Sequence, residues 1–464
     1  MSKLQADLFS QQDNQELLKQ AADFAYSYTK NLPKMRSFPN QQSLSLLKEL
    51  NIPLPEASED PAKILGQLNH IGAQNTVPYS VGRYFGFVNG GALPIGLAAK
   101  WMADVWDQNA GLYVMSPIAA QTESVCQRWL TELFSLPHGS VAGLVGGTSV
   151  ATLCGLAAAR YRQLSKLNWD LTERGLFGAP SLRIIVGTQT HGTVIKMLNL
   201  LGFGRQQLEW VECDKQGRMK VDQLPELDQS CILILQAGNV CSGAFDNFSQ
   251  LIPQANEAGC WVHVDGAFGL WASASKQFDS LTQGVELANS WSVDGHKTLN
   301  TPYDCGIILC SDQDALTHAL HQQGSYIQAS DERDNMNFTP DMSRRARGIE
   351  LWACMRYLGR KGIAQLVELL HQRAVYIASQ LAKNGFKVVN DVVFNQVIIQ
   401  CENDEITQAT LKALQRSGEL WCVGAKWQER SIIRISICSW ATTVDDIDCS
   451  VATFIKAHRC ALSI

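Results

Sequence analysis

The 464-residue chain has no long apolar run. Its most apolar window, GALPIGLAAKWMADVW, is broken by Lys100 and Asp104, and no uninterrupted stretch reaches the ~20 apolar residues that a membrane-spanning helix needs. The opening MSKLQADLFSQQDNQ has no apolar h-region, so no secretion signal is expected. Charge of one sign is also scarce. The 39 Lys and Arg against 44 Asp and Glu leave a net charge of -5, which points away from nucleic acid and anionic membranes as partners. Paired cysteines are missing too: the 14 are scattered, with no C-x-x-C pair and no zinc-like quartet. Several sit in strand-like runs such as GIILC (Cys310) and RISIC (Cys438), which predicts buried, reduced thiols, no metal and a cytoplasmic setting. What is present is ordinary core-forming material, 46% hydrophobic and 18% charged, in a chain long enough for more than one unit.

Three units are expected. Residues 1–75 are polar and helical in pattern, with proline-marked breaks at NLPKM and NIPLPEASEDP, and read as an arm without a core of its own. In residues 76–342 helices alternate with short apolar strands. SVATLCGLAAARYRQLSKL, GTVIKMLNLLGF and FSQLIPQANEAG have helical periodicity; SLRIIVG, CILILQAG, CWVHVDGAF, SWSVDG and CGIILCS read as strands. Continuous apolar strands of this kind predict an α/β unit whose mainly parallel sheet is covered on both faces. Residues 343–464 change pattern: a long helix from Ser343 to Gly385, strands over FKVVN, FNQVIIQ, ELWCVGAKW and SIIRISICS, and helices over EITQATLKALQRSG and from TTVDDID. That is a smaller α+β unit with an antiparallel sheet.

In open parallel sheets, ligands gather at the carboxyl ends of the strands. There the sequence places His191 after SLRIIVGTQT, Asp265 after CWVHV, and His296 and Lys297 after SWSVDG; VGGTS precedes a helix. Each alone has an ordinary reading. Ser149 caps a helix, Asp265 makes a turn, His191 is a satisfied structural histidine and Lys297 is a solvated charge. Together they supply what pyridoxal 5'-phosphate needs: a lysine amine to hold it, a carboxylate to keep its ring nitrogen protonated, and an anion cradle. Gly146, Gly147, Thr148 and Ser149 make the cradle, while His191 and the small Ala267 cover the two ring faces.

The motifs GGTSVATLCGLAAAR, TQTHGTV, AGNVCSGAFDN, HVDGAFG, VDGHKTLNTPYDCG and SRRARGIELWACMR resemble those of the group II pyridoxal-phosphate-dependent amino-acid decarboxylases, which include aromatic amino acid, glutamate and cysteine-sulfinate decarboxylases. The likeness runs from GRYFGFVNG to ISICSWATTVDDID. It implies an aspartate aminotransferase-like (fold type I) architecture, with a sheet of the seven-stranded type. It also implies an obligate homodimer with active sites at the subunit interface and the arm wrapped around the partner. Carried over by motif, Lys297 is the Schiff-base lysine, Asp265 the partner of the pyridine nitrogen and His191 the stacking imidazole near the scissile carboxylate. Gly147, Thr148 and Ser149 hold the phosphate with His296 beside it. Asn239 stands where many relatives have a threonine and is expected to touch the cofactor; Asn89, in FVNGG, is expected near the substrate carboxylate.

The expected reaction is removal of CO2 from an L-amino acid to leave the amine, the cleaved bond being the one held perpendicular to the ring. Other readings stay open: transamination, with Arg434 in SIIRISIC anchoring a carboxylate; decarboxylation-linked aldehyde formation; or a silent protein that keeps the scaffold. The loop GSYIQASDERDNMNFTPDMSRR is charged and aperiodic, and is expected to be mobile and to close over the site. Relatives often carry a tyrosine there that protonates Cα. Here Asn335, Met336, Asn337 and Phe338 stand near that point, and Tyr326 is the loop's only tyrosine. DQNAGLYVMSP offers Asn109 and Gly111 rather than a row of aromatics, so a large aromatic substrate side chain is less strongly suggested.

Overall fold

Short runs of aliphatic residues form the centre of the molecule, described by a computed structural model over residues 1–320 and 332–463. Seven strands make the larger sheet: β1 (Val141–Val145), β2 (Arg183–Gly187), β3 (Leu208–Val211), β4 (Cys231–Gln236), β5 (Trp261–Asp265), β6 (Ser290–Asp294) and β7 (Gly306–Cys310). Their order is β1-β7-β6-β5-β4-β2-β3. Strands β2 to β6 pair in parallel, and β7 runs antiparallel to both β1 and β6. The architecture is the expected α/β fold.

Alternate residues of each strand feed two cores on opposite faces. Leu233, Leu235, Val262, Val264, Trp291 and Val293 enter one; Ile232, Ile234, Trp261 and Ile308 enter the other. Both faces are covered, so the strands read as unbroken apolar runs. Two strands escaped the sequence reading. β1 runs straight into the glycine loop and carries Gly143, where a side chain would strike the Phe338 carbonyl. β3 is a four-residue edge strand whose Glu209 and Trp210 are not buried.

The helices that precede or flank the sheet are α1 (Lys3–Asp13), α2 (Glu16–Asn31), α3 (Gln41–Leu46), α4 (Pro61–Asn75), α5 (Pro94–Trp106), α6 (Pro117–Leu133) and α7 (Thr148–Lys166). Helix α7 lies on the Trp261 face, where Gly155 lets it approach His263: a Cβ at 155 would sit 2.8 Å from the imidazole. His263 is fully buried in a polar seam. Its Nδ1 is 2.8 Å from Ser290 Oγ, its Nε2 3.4 Å from Ser292 Oγ, and Ser292 Oγ is 3.0 Å from Thr152 Oγ1. Trp261 Nε1 donates to the same Ser290 hydroxyl at 3.0 Å. Burial pushes His263 down to about 3, so the ring is neutral and satisfied.

A second sheet of four strands, β8 (Lys387–Val388), β9 (Gln396–Gln400), β10 (Val423–Trp427) and β11 (Arg430–Ser436), is antiparallel with order β10-β11-β9-β8. The helix Gly348–Lys383 joins the cores of the two sheets. It gives Leu351 and Met355 to a core of the larger sheet and Leu370 and Ile377 to the core of the smaller one, and breaks at Gly359, whose φ of 59° suits glycine. It starts five residues after Ser343, because the arginines before it extend into ion pairs. Both guanidinium NH2 groups of Arg344 meet Glu123 at 2.8 Å, Arg345 meets Glu350 at 2.6 Å, and Arg347 meets Asp304 at 3.0 Å.

The loop expected to be mobile differs in its described half. Asn335–Phe338 forms a 3-10 turn with Asn335, Met336 and Phe338 buried, and Asn335 Nδ2 donates to Ala110 O at 3.1 Å. Apolar burial and backbone bonds fix this piece against β1 and the helix that begins at Gln313, although its composition reads as a lid. Tyr326 lies outside the described residues. Among those described, no helix is long and apolar enough to cross a membrane.

The His263 seam sets a pH dependence. Its folded pKa lies below the unfolded value of 6.5, so the stability gained from neutral His263 is whole above that value and is lost as pH falls toward 3. Unfolding free energy from denaturant titration is expected to drop by ~2 kcal/mol between pH 7 and pH 5 through this group. His263→Asn should show a pH slope shallower by one proton; equal slopes in both proteins would assign the loss elsewhere.

Candidate active site

Because β2, β4, β5 and β6 run parallel, their carboxyl ends emerge along one edge. Registers Gln236↔Asp265 and Asp265↔Ser292 bring the ends of β4 and β5 level, with Asp294 closing β6. A cavity of about 570 Å3 opens there, lined among others by Gly147, Thr148, Ser149, His191, Asp265, Ala267, His296 and Lys297. Eight of the ten residues expected at the site therefore share one cavity; Asn239 and Asn89 do not line it.

Lys297 sits in a tight turn after β6. Gly295 N–H donates to Cys305 O at 2.8 Å, Thr301 N–H to Gly295 O at 3.0 Å, and the Thr298 hydroxyl to Phe268 O at 2.8 Å. Its Nζ is 3.2 Å from Asp294 Oδ2. His296 Nδ1 accepts from Cys305 N–H at 3.0 Å, which assigns the proton of the neutral ring to Nε2, 3.5 Å from Asp294 Oδ2. Burial holds His296 below the usual imidazole range. Its ring packs on Tyr303 at 4.3 Å between centroids.

Helix α7 begins one residue before Ser149. Gly147 is its N-cap and has no side chain to cap it, so the capping role for Ser149 does not hold. Thr148 N–H donates to Asp294 Oδ1 at 2.7 Å, while the Thr148 hydroxyl is buried without a partner. Gly306 is required by the close approach of the Gly147 backbone, which a Cβ at 306 would strike.

Asp265 is buried, and its Oδ1 accepts from Ala267 N–H at 3.2 Å; its carboxylate makes no other hydrogen bond among the described residues. Desolvation raises its pKa, against the pull of His191 and Lys297. His191 caps the helix Gly192–Leu200, its Nδ1 accepting from Thr193 N–H at 3.2 Å. Desolvation lowers its pKa more than Asp265 raises it, and its ring keeps an exposed face.

Asn239 is a turn residue. Its Oδ1 accepts from Cys241 N–H at 2.9 Å and Ser242 N–H at 3.2 Å, and the wall passes through Gly238 and Val240 instead. Asn89 accepts from the Tyr303 hydroxyl at 2.9 Å, one residue from the cavity wall at Val88. Asn109 Oδ1 serves Gly111 N–H at 3.1 Å and Arg344 N–H at 3.3 Å and is not part of the wall.

The sequence reading left out Asp294, Tyr303 and the pair Phe87 and Val88, all lining the cavity. Asp294 had a signal, its place in VDGHK three residues before the lysine. Phe87 and Val88 had none: both adopt left-handed backbone (φ 55° and 60°), which a β-branched residue rarely does. Arg434, read only as a carboxylate anchor, reaches the cavity from β11 with its Nε buried and unpartnered.

The set fits pyridoxal phosphate. The start of α7, where the Thr148 hydroxyl is orphaned, suits a phosphate, Asp265 has acceptor capacity to spare, and His191 and Lys297 line the same cavity.

Residues 44–401 match the pyridoxal-dependent decarboxylase conserved domain. The chain is 24% identical over 462 residues to an aromatic-L-amino-acid decarboxylase of Bacillus atrophaeus, covering 94% of each. It is 24% identical over 381 residues to an acidic amino acid decarboxylase of Mus musculus, covering 79% of this chain and 67% of the other. The solved structure of Oryza sativa TDC with PLP and tryptamine shares the fold, with a TM-score of 0.89, 22% identity and 99% of each chain covered. A domain match over most of the chain, on a site that fits the cofactor, establishes that the chain belongs to the pyridoxal-dependent decarboxylase family and is a pyridoxal-phosphate-dependent amino-acid carboxy-lyase.

Proposed function

We propose that the protein converts an L-amino acid to its amine and CO2, with Lys297, Asp265 and His191 as the catalytic residues. The observation that carries this reading is the convergence of these three side chains and the α7 N-terminus on one cavity. Bound pyridoxal phosphate supplies an electron sink for the pair left behind by CO2. Lys297 holds the cofactor. Thr148, Ser149 and the Gly147 backbone take its phosphate, with neutral His296 beside them. Asp265 keeps a proton on the ring nitrogen: an N–H there gives the buried carboxylate the partner it lacks. His191 and Ala267 cover the ring faces and exclude water. Arg434, buried and without a carboxylate partner among the described residues, takes a carboxylate of the substrate. Aldehyde formation coupled to decarboxylation, with dioxygen as the oxidant and ammonia released, is the second reading, favoured by the lack of a tyrosine in the segment Asn335–Phe338.

The substrate is an amino acid whose side chain the reading leaves open, and the assembly is a homodimer in a reducing cytoplasm. All 14 cysteines are free, which suits that compartment. Division into an arm (1–75), a large unit (76–342) and a small unit (343–464) belongs to the same proposal. Helices α1 and α2 bury none of their own residues. Leu4, Leu8 and Tyr26 of the arm are exposed, as are Trp101, Met102, Val105 and Trp106 of α5. Apolar surface of this extent needs covering, and a second copy covers it symmetrically.

The test is release of CO2, amine and aldehyde across a panel of amino acids. Wild type should release equal CO2 and amine from at least one of them; no CO2 from any would end the proposal. Lys297→Ala should lose both turnover and the borohydride-reducible link to the cofactor. Asp265→Asn should keep the cofactor and lose ~100-fold or more in kcat; full kcat would remove Asp265 from its role. In sedimentation velocity wild type should run at twice the chain mass, and Val105→Arg should shift it toward monomer. A fully active monomeric wild type would contradict the assembly.

A further inference from the structure

The carboxylate that closes β6 touches three groups that a phosphorylated aldehyde cofactor needs. Asp294 is 2% exposed. Its Oδ1 accepts from Thr148 N–H at 2.7 Å, at the start of α7. Its Oδ2 is 3.2 Å from Lys297 Nζ and 3.5 Å from His296 Nε2. The backbone around it is equally constrained: Asp294 N–H donates to Ala267 O at 2.9 Å, and Trp271 Nε1 donates to Asp294 O at 2.9 Å. Both carboxylate oxygens are thus engaged, on a residue that the sheet and a fully buried tryptophan hold in place.

We propose that Asp294 is a positioning residue that ties the Lys297 amine to the first turn of α7 and keeps that amine paired until the cofactor engages it. The inference rests on the reading that Lys297 holds the cofactor. Its physical basis is that an amine held 3.2 Å from a buried carboxylate must give up that contact before its nitrogen can reach a carbonyl. The other oxygen occupies one of the first-turn donors that suit a phosphate. An arriving phosphate therefore meets a carboxylate already on that donor, and its negative charge competes with Asp294 for the same local field. Anion binding and release of the lysine are coupled through this one side chain. Asparagine at 294 would keep the acceptor for Thr148 N–H and remove the charge, which separates the two effects.

The experiment is competitive acetylation of the full-length chain stripped of cofactor, followed by peptide mass spectrometry. Lys100 is the internal reference: it is paired with Asp104 at 2.9 Å on α5, away from Asp294, so its surroundings are the same in both proteins. In Asp294→Asn the Lys297 to Lys100 labelling ratio is expected to rise about tenfold, the change that corresponds to ~1.4 kcal/mol. An unchanged ratio overturns the proposal. So does an equal rise at Lys166, which lies on the far end of α7 and would report a loosened fold. Asp294→Ser, which keeps a hydroxyl acceptor beside Thr148, takes the place of the amide variant if that variant does not fold. Uptake of pyridoxal phosphate by wild type, read as visible absorbance, is scored separately. Its failure would remove the cofactor reading, while the labelling ratio still decides whether Asp294 restrains Lys297.

Discussion

Asn300 holds the lysine turn to the rest of the molecule. It is fully buried with left-handed backbone (φ 59°), a conformation asparagine tolerates better than most residues. Its two Nδ2 protons are shared among the carbonyls of Lys297 (3.1 Å), Thr298 (2.8 Å) and Cys438 (3.0 Å). Its Oδ1 accepts from Gly91 N–H at 2.8 Å and Trp440 N–H at 3.0 Å. One amide therefore satisfies backbone groups from the lysine turn, the segment before α5 and the end of the second sheet. Buried polar groups left without such partners cost about 1–3 kcal/mol each, so the lysine turn, the Gly91 approach and the second unit are energetically one assembly. The position of Lys297 follows from that assembly more than from the strand that precedes it.

The charge pattern around the cavity follows from the same closure. Two carboxylates, Asp265 and Asp294, face Lys297 and Arg434 across a space flanked by two imidazoles. Desolvation is the largest influence on His191, His296 and Asp265, lowering the imidazoles and raising the carboxyl. It disfavours charge on each, so a ligand that brings its own cationic N–H and its own anion restores partners on both sides. A site of this kind is primed for a cofactor carrying both groups, which is what the family uses.

The cavity also belongs to both sheets. The larger sheet supplies the strand ends, while Val423, Gly424 and Arg434 come from β10 and β11. Residues 83–85 stitch across: Phe85 N–H donates to Trp421 O at 2.8 Å, and Ser436 N–H to Phe85 O at 3.0 Å. Phe85 accordingly packs in the core of the smaller sheet, although the Phe87 and Val88 that follow it line the cavity. Strained backbone at those two residues survives because neighbours on both sides hold it.

By itself, the sequence determined what local chemistry can determine. Unbroken apolar runs marked five of the seven strands of the larger sheet, and the side chains at their ends, His191, Asp265 and Lys297, did meet. Strand ends are legible because periodicity and flanking turns are local properties. The two missed strands lacked that local signal, one merging into a glycine loop and one lying half-exposed at an edge. Facing was decided by tertiary structure alone. Asn239 sits in the right turn, yet its amide satisfies its own turn rather than the cavity. The segment Asn335–Phe338 has a lid's composition and a core's burial. Arg434 meets a cavity whose other cation is 137 residues away because antiparallel pairing of β11 with β9 and β10 turns it there. Which side chains converge depends on register and packing between segments far apart in the chain, and no window of neighbouring residues contains that information.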